Sequence, residues 1–118
     1  MQPATIDLTI YQGSTFSQAF QWKTGNPATP VNLTGYTARM QIREKLTSPN
    51  PIITMTTENG GIVITDAENG FFSLEISATD TAAFTFRNAV YDLEFVSPSG
   101  FVRRLIEGSV SLSPEVTR

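Results

Sequence analysis

Apolar and polar residues alternate along most of the chain. Ile6, Leu8 and Ile10 interleave with Asp7, Thr9 and Tyr11, the period-2 pattern of a strand with one buried face. After a break at Gln12-Gly13-Ser14, the residues Phe16, Gln18, Phe20 and Trp22 share one face of a second strand. The segment from Lys23 to Gly35 holds Gly25, Pro27, Pro30 and Gly35 and reads as loop, with Val31 and Leu33 tacking it to the core. Tyr36, Ala38, Met40 and Ile42 alternate with Thr37, Arg39, Gln41 and Arg43, the clearest strand, with one apolar and one basic face. Ser48-Pro49-Asn50-Pro51 ends that excursion, and Ile52 to Thr56 forms a short β-branched strand. Glu58-Asn59-Gly60-Gly61 carries the Asn-Gly sign of a tight hairpin turn, with Ile62, Val63 and Ile64 as the return strand. Asp66 to Gly70 is a second turn ending in Asn-Gly, where Asn69 and Gly70 supply positive φ angles, and Phe72, Leu74 and Ile76 then share a strand face.

Ser77 to Phe84 is the sole helical candidate, capped by Ser77 or Thr79 with Asp80 in its first turn. Tyr91, Leu93 and Phe95 alternate with Asp92, Glu94 and Val96, and Ser97-Pro98-Ser99-Gly100 is a four-residue hairpin loop. The last strand runs from Phe101 to Leu112, with Gly108 as its bulge or bend. Arg104 falls in phase with Val102, Ile106, Val110 and Leu112, so a bulge must reset the faces. About eight strands with a short helix near residues 78–84 predict an all-β fold, an antiparallel sandwich or barrel. The 118 residues suffice for one core, so residues 1–118 read as a single domain. Met1 reads as the natural start. No secretory signal or membrane-length apolar run is visible.

Composition narrows the chemistry. Cysteine and histidine are absent, which excludes disulfides, thiolate metal sites, cysteine nucleophiles and the commonest general base. The net charge of −3 argues against gripping nucleic-acid phosphates. The spacing of the glycines matches neither GxGxxG nor a Walker loop, and no cofactor or metal is expected. Asp92 and Glu94 form a carboxylate pair of the kind glycosidases use, although simple alternation already places both on a solvated strand face. Asp66, Glu68 and Asn69 crowd one turn, but their spacing departs from a calcium loop. Asn32-Leu33-Thr34 is a sequon without a secretory context.

Arg39, Arg43, Arg103 and Arg104 make a basic stripe if their strands are neighbours, with Phe101 and Tyr36 interleaved. Such a mixture suits single-stranded nucleic acid. The excess of acidic residues favours a protein interface instead, where arginine is enriched. Phe71 and Phe72 must point to opposite faces of one strand, so one of them is covered by a second layer or offered to a partner. The candidate interface set is Phe71, Phe101, Arg103, Arg104, Arg39 and Arg43.

Three phrases in order carry a resemblance: Ile6 to Gly13, then Pro30-Val31-Asn32-Leu33-Thr34-Gly35-Tyr36-Thr37-Ala38-Arg39-Met40-Gln41-Ile42-Arg43, then Tyr91 to Gly100 followed by Arg104 to Arg118. The chain resembles the small β-sandwich proteins of tailed bacteriophages and prophages. It is similar to the N-terminal immunoglobulin-like domain of phage upper-baseplate proteins. That resemblance implies an immunoglobulin-like sandwich and a non-enzymatic virion protein, assembled in the bacterial host cytoplasm. The baseplate proteins continue into stalk and fibre segments, whereas this sequence ends at Arg118, which suits a tail, neck or baseplate adaptor that holds fibres or joins rings. Capsid decoration is the alternative within that class. A carbohydrate-binding module with Trp22 or Tyr36 as stacking platform and a small hydrolase built on Asp92 and Glu94 are alternatives outside it. The implied partners are other virion proteins and further copies of the chain, with no nucleic acid and no membrane. The strands from Thr5 to Tyr11 and from Phe101 to Leu112 are expected to pair across subunits, and an N-terminal arm (residues 1–5) and C-terminal tail (residues 113–118) to engage partners.

Overall fold

The computed structural model describes residues 3–117. In chain order the strands are β1 (Ala4–Thr5), β2 (Leu8–Tyr11), β3 (Phe16–Gln21), β4 (Lys23–Thr24), β5 (Thr29–Pro30), β6 (Thr37–Arg43), β7 (Ile53–Thr56), β8 (Ile62–Asp66) and β9 (Phe71–Ile76). A helix α1 (Ala78–Ala82) follows, then β10 (Asn88–Val96) and β11 (Val102–Ser113). The larger sheet runs β1-β11-β10-β6-β7, with β2 also on β11, and the smaller runs β3-β9-β8. The two pack face to face as an all-β sandwich. Alternation is the cause: Ala38, Met40, Ile42, Leu93, Phe95, Ile106 and Val110 of one sheet meet Phe72, Leu74, Ile76 and Ile62 of the other.

Several expectations change. The segment from Lys23 to Gly35 is not all loop, since β4 and β5 pair within it; Leu33 is fully buried as expected. The Asn59-Gly60 turn does not close a hairpin, because β7 belongs to the larger sheet and β8 to the smaller. Asn59 instead finishes the edge of β7. Its Oδ1 accepts from the Thr56 N–H at 2.9 Å and its Nδ2 donates to the Thr54 carbonyl at 3.0 Å. The turn before β9 is one turn of 3-10 helix, in which Gly70 alone takes a positive φ, so Asn69 does not share that role. Ser77 caps α1 by accepting from the Asp80 N–H. The fully buried Thr81 hydroxyl accepts from the Gly13 N–H at 3.1 Å and donates to the Ser14 carbonyl at 2.8 Å, pinning the β2–β3 turn.

The bulge in β11 exists but lies before Gly108. The register passes from Leu93↔Ile106 to Glu94↔Arg104, leaving Leu105 as the extra residue. Gly108 serves a different purpose. The segment from Ala4 to Tyr11 lies parallel along β11, so β11 is paired within the chain on both of its edges. At the junction between β1 and β2 the Ile6 N–H donates to the Glu107 carbonyl at 2.9 Å, and the Tyr91 hydroxyl donates to the Ile6 carbonyl at 2.5 Å. The Ser109 N–H donates to Asp7 Oδ1 at 3.1 Å. Only a glycine at 108 leaves room, because a Cβ there would stand 2.9 Å from the Ile6 carbonyl carbon.

Hydrogen bonding by Ser109, its backbone N–H first and then its hydroxyl, holds the Asp7 carboxyl below its usual range. A depressed carboxylate adds stability above its unfolded value and loses it as pH falls through the folded one. The urea midpoint should therefore drop on acidification below about pH 4, and Asp7→Asn should make that drop shallower. Equal acid sensitivity in both proteins would refute the assignment.

Candidate functional site

The outer face of the larger sheet collects most of the charged side chains singled out in the sequence. Arg39 and Arg43 project from β6, Asp92 and Glu94 from β10, and Arg104 and Glu107 from β11. Strands β6 and β11 are not neighbours, for β10 lies between them. The expected basic stripe is therefore interrupted by acid. Arg39 Nε meets Glu94 Oε1 at 2.8 Å, and Arg104 reaches Asp92 Oδ2 at 3.5 Å and Glu107 Oε1 at 3.3 Å. Arg43 donates to the Ser48 carbonyl and to Gln41 Oε1, both at 2.7 Å. The result is a ladder of alternating charge across three strands, half open to water.

This arrangement answers the hydrolase reading. Asp92 and Glu94 each face an arginine on an open sheet, and the groove beside Asp92, about 480 Å³, is lined by Val90, Leu46, Arg104 and Glu107. Acid–base hydrolysis needs a carboxyl positioned against substrate, whereas here both carboxylates are held in ion pairs with Arg39 and Arg104. Exposed ion pairs are worth little. Asp92→Asn and Glu94→Gln should each change stability by less than about 1 kcal/mol, as read by urea unfolding. A loss of several kcal/mol would mean that the ladder does more than dress the surface.

The remaining candidates separate. Phe101, Arg103 and Arg104 come together with Pro3 and Glu94 around a concavity of about 440 Å³ at the end of the β10–β11 hairpin. The Arg103 guanidinium carbon lies 5.8 Å from the Phe101 ring centroid and 5.9 Å from that of Trp22, within cation–π range of both. Phe71 is elsewhere, 39% exposed on the outer face of the smaller sheet, while Phe72 is wholly buried. The six residues therefore span three surfaces.

Trp22 does not serve as a stacking platform. It is 92% buried against Tyr36 and Phe95, covered by Arg103, and Tyr36 meets it edge-on. At the acidic turn, Asn69 Nδ2 donates to Asp66 Oδ2 at 2.9 Å. Among the described residues no group of three or more acidic side chains could hold a metal ion. No helix of the described residues is long and apolar enough to cross a membrane.

One feature escaped the sequence reading: the outer edge of β3. Its signal was present, since no charge and no proline occurs between Asp7 and Lys23.

A family model described as an LtfC-like, beta-sandwich domain matches residues 2–113. None of the curated proteins matches the chain.

Proposed function

The chain belongs to the LtfC-like β-sandwich domain family, and from that membership we propose that it is a non-enzymatic, phage-associated structural protein of the virion. The finer reading is an adaptor in the tail, neck or baseplate that holds fibres or joins rings. The observation that carries the proposal is the extent of the family match, which takes in both sheets from β1 to the end of β11. The surfaces suit such a role. A ladder of paired charges and an aromatic–arginine corner at Phe101 and Arg103 are contact features, and the pinned N-terminal strand gives a stiff body to present them.

The test is mass spectrometry of purified virions and of tail and head fractions after mild dissociation. Recovery in the tail fraction at a copy number that matches a closed ring supports the adaptor. Hundreds of copies with the capsid would replace it by decoration, and absence from the particle would overturn the virion assignment.

A further inference from the structure

An open strand edge is a template for another chain, and proteins normally blunt it with charge, proline, a bulge or a covering segment. The edges of this sandwich are treated unequally. The side-chain amide of Asn59 finishes β7. The parallel N-terminal segment covers β11. A register shift between Ile64 and Asp66 breaks β8, which ends on a carboxylate. β2 is only four residues long, and its Tyr11 carbonyl already accepts from the Ser14 N–H.

Among the described residues β3 has none of these protections. It pairs with β9 over six residues without a shift, and it carries no charge and no proline. The Trp22 N–H donates to the Gly70 carbonyl. Antiparallel alternation therefore turns the backbone groups of Phe16, Gln18 and Phe20 toward β9 and those of Ser17, Ala19 and Gln21 outward. Those three side chains are exposed on the outer face.

The edge is also self-complementary about Ala19. An antiparallel copy sets Ala19 against Ala19 and Ser17 against Gln21, with no like charges opposed and about six backbone hydrogen bonds formed. A two-fold interface requires such self-complementarity. Beneath the edge a mainly apolar cleft of about 250 Å³ opens between β3 and β1, lined by Phe20, Trp22, Ile6 and Leu105. A second strand along β3 would close it.

We propose that two copies of this chain pair antiparallel through β3, centred on Ala19, joining their three-stranded sheets into one. The pairing goes beyond the virion reading and stands apart from it.

Sedimentation velocity from about 1 to 300 μM tests the pairing, a range that spans weak dimer affinities. The wild type should be a dimer at the upper end. Ala19→Lys places two ammonium groups face to face in the dimer and only a solvated side chain in the monomer. It should weaken association by roughly tenfold or more with an unchanged urea midpoint for the monomer. Should that variant fail to fold, Ala19→Cys carries the test, because the chain has no other cysteine. Hydrogen-bonded antiparallel partners have Cα atoms about 5.5 Å apart, inside disulfide range. Ala19→Cys should cross-link roughly tenfold faster than Thr65→Cys at an exposed position of β8, a ratio set by preformed proximity. A wild type that is monomeric throughout overturns the pairing while leaving the virion reading intact. So does a dimer indifferent to Ala19→Lys, or equal cross-linking of the two cysteine variants.

Discussion

Replacing Phe95 with alanine should cost about 3–5 kcal/mol, the range for deleting a buried aromatic without collapse of the site. Phe95 is fully buried at the middle of the larger sheet. Its ring lies 5.0 Å from Phe72, 5.6 Å from Trp22 and 6.3 Å from Tyr36, centroid to centroid. It thus joins the larger sheet to the smaller one and to the segment that follows β3. Removing it leaves three aromatic partners with a void among them, and the backbone on either side is held by β6 and β11, so the gap cannot close. Total stabilities of small domains are about 5–15 kcal/mol, so the variant should unfold at a much lower urea concentration. Trp22, the sole tryptophan, reports directly as its indole becomes exposed. Phe71→Ala is the control: it removes a ring of the same size from a 39% exposed position on the outer face and should cost no more than about 1 kcal/mol. Equal losses in the two variants would contradict the packing described.

Gly108→Val should cost about 2–4 kcal/mol by forcing the N-terminal strand off β11, a sum over three broken hydrogen bonds of ordinary strength. The first Cβ atom already meets the Ile6 carbonyl, with Asp7 Oδ1 at 3.1 Å. Neither can retreat without losing the bonds to Glu107, Ser109 and Tyr91. Hydrogen exchange gives the decisive readout: the Ile6 amide should lose its protection while amides in the β6–β10 pairing keep theirs. Protection of Ile6 in the variant would show that glycine is not needed there. Exposure of the β11 edge should also raise self-association through that edge, a concentration-dependent effect distinct from the pairing assigned to β3.

Much of this architecture was legible in the chain. Alternation from Tyr36 to Arg43 and from Tyr91 to Val96 placed Ala38, Met40, Ile42, Leu93 and Phe95 inside and Arg39, Asp92 and Glu94 outside, as observed. The phase error at Arg104 announced a bulge in β11, although its position at Leu105 was not visible. The short helix was readable from Ser77 to Asp80, and of the two candidate caps, Ser77 and Thr79, the structure uses Ser77. The phage β-sandwich resemblance agrees with the family match at the level of the sandwich domain. The candidate interface residues were legible one by one but not as a surface. Whether Arg39 and Arg104 stand together depends on which strand lies between them, and β10 brings Asp92 and Glu94 into that gap.

The sequence alone therefore determined the local facts: where the long strands lie, which face of β6 and β10 is apolar, where the chain turns, and that no histidine or cysteine chemistry is available. These follow from a two-residue period and from the φ preferences of glycine and proline, which are properties of neighbouring residues. Only the tertiary structure decided which strand lies beside which. It sent β7 and β8 into different sheets despite the Asn-Gly turn between them, and it laid Ser109 against Asp7 across 102 positions of chain. It also left β3 with no strand on its outer edge among the described residues. Strand partners are selected by which apolar faces can close over one core, and that choice is made between segments far apart in sequence, where no local pattern records it.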